Sequence, residues 1–170
     1  MVICVCLACL SVPVSAADST QLFLHSNVVR VGDTSISLVF VAKNNEAVDI
    51  AAMQSILHFP KWLTLTDLVV LKKDGSRNSD ALYVSGKKKH EQDGYASQTI
   101  VFGATAPVPK VKADSMRLLK LVLAINKSYT LVEGEVIRLS ADSVVLSTLY
   151  GKELPCSQSI SLVLKIAKAI

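Results

Sequence analysis

RVGDTSISLVFVAKNN, residues 30–45, opens on a Gly-Asp turn and then alternates. In an extended chain Ile36, Leu38, Phe40 and Ala42 fall on one side, and Ser35, Ser37, Val39 and Val41 on the other. A period of two is the signature of a strand with one face buried. Working outward, similar β-rich runs recur near 21–26, 50–58, 63–71, 81–85, 97–103, 116–125, 135–147 and 159–167, with 135–147 expected to split in two. Polar turns separate them, among them KKDGSRNSD from 72, GKKKHEQDG from 86, KSYTLVEGE from 127 and YGKELPC from 150.

Helical periodicity competes only in DSMRLLKLVLAI, 114–125, where Leu118, Leu119, Val122 and Ile125 would share a helix face. The same residues alternate as a strand, and their neighbours are all strands, so a strand is expected. APVPK, 106–110, is expected to block regular structure because each proline lacks an amide donor. About nine short strands with one apolar face give an all-β fold, an antiparallel two-sheet β-sandwich.

The 170 residues suit one domain with a real core, and 51% hydrophobic against 19% charged residues excludes disorder. Residues 1–17, MVICVCLACLSVPVSAA, carry no charge and are shorter than the ~18–20 apolar residues of a membrane-spanning helix. Small residues at Val14 and Ala16 suit cleavage, so 1–17 are expected to be a signal peptide, although no Lys or Arg precedes the apolar run. The remainder, 18–170, is then one secreted domain, extracellular, on the cell surface or periplasmic. Cys4, Cys6 and Cys9 fall in the leader and leave Cys156 as the lone mature cysteine, so no intrachain disulfide is expected. Net charge is +4, with Lys72-Lys73 and Lys87-Lys88-Lys89 each close to acids. No continuous basic stripe results, which argues against nucleic-acid binding.

Residues with chemistry are scarce. DGSRNSD places oxygens at Asp74, Ser76, Asn78 and Asp80, but an EF-hand loop would need Gly and Glu where Ser79 and Ser85 stand. No metal or other cofactor is therefore expected. His25, His58 and His90 share no zinc spacing, and His58 should face outward, opposite Leu57 and Phe59. There is no Gly-x-Ser-x-Gly elbow and no recognisable carboxylate pair, so an enzyme is not expected. Trp62, Tyr83, Tyr95, Tyr129 and Tyr150 are scattered, and Trp62 after FP reads as a half-buried corner rather than a sugar platform. NKS at 126–128 fits the N-glycosylation pattern, and no function is attached to it.

Several of these stretches together resemble the cohesin module, a secreted β-sandwich of jelly-roll topology. VRVGDTSISLVFVAKN is similar to the family's first turn and strand, and MQSILHFPKWLTLTDL to its third strand, with FP where the family has Tyr-Asp-Pro. LLKLVLAI resembles the late apolar strand, and IRLSADSVVLSTLYGKEL the closing pair around a Gly. The similarity runs over about residues 20–167. It implies a non-catalytic module that binds a dockerin-like partner across a flat sheet face, in polysaccharide-degrading or cell-surface assemblies. Ala52 and Gln54 stand where that face often carries Asn and Asp. The partner surface is expected on the outer face of the sheet containing Gln54 and His58 as hydrogen-bonding groups, with Tyr83, an amphipathic anchor, and Thr99 on neighbouring strands. A carbohydrate-binding module on the same fold is the alternative, and a structural spacer a third.

Overall fold

The computed structural model describes residues 20–43, 48–72, 74–111 and 115–169. The expected signal peptide and Cys4, Cys6 and Cys9 lie outside the described residues. Strands dominate, as the alternation predicts. In the smaller sheet the order is β1 (Gln21–Ser26), β2 (Ser35–Lys43), β8 (Ser115–Ile125), β4 (Leu63–Val70). In the larger it is β10 (Glu153–Leu154), β9 (Val136–Ser147), β3 (Val48–Pro60), β7 (Tyr95–Val111), β5 (Ala81–Ser85). Along its margins β11 (Ile160–Lys165) pairs with β9 and β6 (Lys89–His90) with β7. All of these strand pairs are antiparallel.

The opening stretch becomes β2. Gly32 takes a left-handed φ of 94°, which an L side chain rarely adopts, and Asp33 Oδ2 accepts the Arg30 amide at 2.8 Å to close the turn. Ile36, Leu38 and Phe40 are then fully buried, packed with Leu57, Phe59, Ile100 and Phe102 of the opposing sheet in one aliphatic core. Burying each such side chain contributes ~1.5–3 kcal/mol, set against the entropy of ordering it.

Three local departures from simple alternation follow from pairing. β8 is a strand, central between β2 and β4, but Leu118 and Leu119 are both buried because the register slips between Phe40 and Val41. β9 is one strand rather than two: the extra residue is absorbed as a bulge at Ser143, where φ is 50°. The Pro107–Pro109 stretch does not stop the chain, since β7 runs through to Val111. Its register against β3 jumps from Ala52–Gly103 to Ile50–Val108, so the ladder skips the positions around Pro107 instead of demanding amides there. The short β6 and β10 were not legible as strands.

The two ends of the described chain close the sandwich. Thr20 bridges Cys156 and Arg30 bridges Ala167, both in parallel, and the Val31 and Ala167 amides donate to Ala167 and Val29. Thus the strand that opens the smaller sheet is tied to the segments flanking the last strand of the larger.

Candidate functional site: the outer face of the larger sheet

In β3, Met53, Ser55, Leu57 and Phe59 point into the core, so Gln54, Ile56 and His58 point out. Register carries that outward face across the neighbours. Gln54 lies between Val101 of β7 and Val145 of β9, and Val101 in turn pairs with Val84 of β5. One row toward the sheet's end, Leu82, Gly103, Ala52 and Ser147 align; in the other direction Thr99, Ile56 and Asp142 align, followed by Ser97, His58 and Ser140.

The face is therefore divided. At one end Leu82 is 77% exposed, Val84 66%, Val145 39% and Val101 36%, an aliphatic band across the outer face. Scattered exposed aliphatic residues are ordinary, but a leucine and three valines on adjoining rows of one face form a patch. Beside it Gly103 keeps a hollow: a Cβ there would meet nothing within 4 Å, and Ala52, Leu82, Ser147 and Leu149 border the space.

At the other end His58 sits half-buried between two carboxylates. Its Nδ1 is 3.1 Å from Glu91 Oε1, in the segment after β6, and its Nε2 is 2.8 Å from Asp142 Oδ2 on β9. Burial of the ring pulls its pKa down, but the hydrogen bonds and charges of Glu91 and Asp142 outweigh that and hold it above the ordinary histidine value. The Ser97 hydroxyl, opposed by burial and aided by His58, keeps the Glu91 carboxyl below its ordinary value. With both ring nitrogens occupied by carboxylates, His58 is not presented to a nucleophile as a general base.

Of the residues expected on this surface, Gln54, His58 and Thr99 are brought together on it. Tyr83 is not: it pairs with buried Phe102 and belongs to the core-facing row of β5, where the sheet margin leaves it 47% exposed. Its neighbours Leu82 and Val84 occupy the outer face instead. The aliphatic band was signalled by the alternation of Val101 against buried Ile100 and Phe102. The Glu91 and Asp142 contacts had no such signal, because 33 and 84 residues separate them from His58.

Elsewhere, Trp62 is the half-buried corner expected, stacked on Tyr129 with centroids 3.9 Å apart and planes 5° from parallel. The Tyr129 hydroxyl donates to Glu135, which pushes its pKa up to about 12. In the DGSRNSD loop Asp74 Oδ1 accepts from the amide and hydroxyl of Ser76, and Asn78 Oδ1 from the Asp80 amide, so these oxygens pin the turn. Among the described residues, no group of three or more His, Cys, Asp or Glu side chains is placed to hold a metal ion.

A two-sheet jelly-roll sandwich with one partly aliphatic outer face is the class of fold these observations define. Within that class the fold is cohesin-like. A non-cellulosomal cohesin from the archaeon Archaeoglobus fulgidus superposes with a TM-score of 0.57 at 11% identity, over 87% of this chain and 91% of that one. A cohesin module from a Clostridium perfringens family 33 glycoside hydrolase gives 0.55 at 13%, over 89% and 100%. The third cohesin of ScaC from Acetivibrio cellulolyticus, solved in complex with the ScaB dockerin, gives 0.54 at 14%, over 87% and 99%. No protein-family model and no curated protein sequence matches the chain.

Proposed function

We infer that this chain is a secreted, non-catalytic interaction module of the cohesin kind, which docks a dockerin-like protein module on the outer face of its larger sheet. The observation that carries the reading is the aliphatic band of Leu82, Val84, Val101 and Val145 on a cohesin-like sandwich. An exposed apolar patch rimmed by polar groups is what a protein partner buries. The apolar residues 1–17 support export, and with it a role in an extracellular or cell-surface assembly. Sugar binding draws less support, because Trp62 is spent against Tyr129 rather than offered to solvent.

The test is capture of secreted and surface proteins by the chain, with calcium and with chelator, followed by calorimetry on the partner found. Val101→Glu places a charge in the middle of the band. It should weaken binding at least tenfold while leaving the melting transition within the roughly ±0.5 kcal/mol of an ordinary surface substitution. Unchanged affinity in Val101→Glu, or no protein captured in either condition, overturns the reading.

A further inference from the structure

The segment that carries Glu91 is paired to β7 through the backbone of Lys89 and His90, and its side-chain hold across the outer face is made by Glu91. β6 is two residues long, and the turn after it passes through two successive left-handed residues, Asp93 at φ 62° and Gly94 at 83°. Backbone bonds from the Glu91 amide to Tyr95 O and from the Lys61 amide to Gly94 O close the turn on itself and on the end of β3. Across the outer face, the side-chain ties recorded for Glu91 are to Ser97 and His58.

His58 has a stoichiometric problem. Both ring nitrogens face carboxylate oxygens, at 3.1 and 2.8 Å. A carboxylate only accepts, and a neutral imidazole has one N–H to give. Only the imidazolium serves Glu91 and Asp142 together; in the neutral ring one nitrogen lone pair is set against a carboxylate. Asp142 is fixed on a long paired strand, so the neutral ring keeps Asp142 and the Glu91 contact is the one lost. The remaining charged groups nearby do not substitute for the proton. Lys89 of β6 pairs with Ser97 but is exposed, Arg138 stands exposed two positions beyond Ser140 on β9, and Asp93 is exposed in the turn. Lys88 is turned away, bonded to the Lys61 and Leu63 carbonyls. Opposite Ser140, β11 offers the neutral Ser161.

We propose that His58 is a proton-operated latch: protonated, it ties the Glu91–Gly94 turn to the outer face through the Glu91 side chain while anchored on Asp142, and neutral, it releases that side chain and loosens the turn, the backbone pairing of Lys89 and His90 with β7 staying in place. A group stabilised in its charged form by folding is latched below its unfolded pKa and released as pH rises through the folded one. The latch operates at the polar end of the face assigned to the partner. Its consequence for binding rests on that reading, while the latch itself does not.

The test needs no partner. In the isotopically labelled full chain, wild type and with the segment's own histidine removed as His90→Gln so that its ionisation is told apart, the His58 ring resonances and the amide resonances of 89–95 are followed from pH 5 to 9. The expected result is one shared midpoint, above the ordinary histidine value, with the amides of Glu91 to Gly94 shifting as the ring loses its proton. Asp142→Asn is the decisive variant, because a carboxamide either donates or accepts and so serves the neutral ring as well as the charged one. There the His58 midpoint falls and the coupled shift of 89–94 is lost. Segment amides that ignore the His58 titration in the wild-type chain, or that still follow it in Asp142→Asn, overturn the proposal. Failure to find a protein partner bears on the face and leaves this titration as it stands.

Discussion

Single residues on β3 show how differently neighbouring positions are used. Leu57 is fully buried in the shared core, and Leu57→Ala should cost ~2–5 kcal/mol, read as a lowered midpoint in chemical denaturation. Two positions earlier, Ser55 is equally buried, but its hydroxyl has no hydrogen-bond partner among the described residues. An unpaired buried hydroxyl carries a desolvation penalty of about 1–3 kcal/mol. Ser55→Ala should therefore be neutral or stabilising, whereas any ordinary core truncation destabilises; a clear loss of stability by the same denaturation assay would contradict this. On either side of this pair Gln54 and His58 point to the outer face rather than into the core.

Among the elements, β7 contributes both to the core and to the face proposed for a partner. It lies between β3 and β5, supplies Phe102 and Ile100 to the core, and presents Val101 and Gly103 outward. The Gly103 backbone is not in the left-handed region, and a Cβ would have open space. Glycine inside a strand costs about 0.5–1 kcal/mol relative to alanine. Gly103→Ala should accordingly raise the melting temperature while partly filling the hollow beside the aliphatic band. A lower melting temperature would mean that the glycine serves the strand in a way its surroundings do not reveal. β6 is the contrasting element, two residues paired with the margin of β7 and followed by the turn whose Glu91 contacts His58.

For the molecule as a whole, stability depends on joining the chain's two described ends. β11 pairs with β9 over Ile160–Lys165, and the segments flanking it hold the start of β1 and the turn before β2. Described Cys156 is a free thiol, so no disulfide replaces that closure. A chain ending at Ser159 should lose cooperative thermal unfolding by circular dichroism, because it exposes the β9 edge and uncovers Ile137 and Leu139. Retention of a sharp transition would show that the two sheets hold without the closing strand.

Most of the sandwich was legible in the order of residues, because alternation is a local property: Ile36, Leu38 and Phe40 declare a buried face whatever lies opposite. The Gly-Asp turn, the strand character of 116–125 and the outward position of Gln54, His58 and Thr99 follow in the same way. Pairing partners are not local. The slip that buries both Leu118 and Leu119, the bulge at Ser143 and the passage of β7 through its prolines were decided when strands met. The same is true of Tyr83, expected on the outer face, which its register against buried Phe102 places in the core-facing row instead. The clamp on His58 belongs wholly to the tertiary structure. Its three side chains come from distant parts of the chain, and only the sheet order brings two carboxylates to one ring.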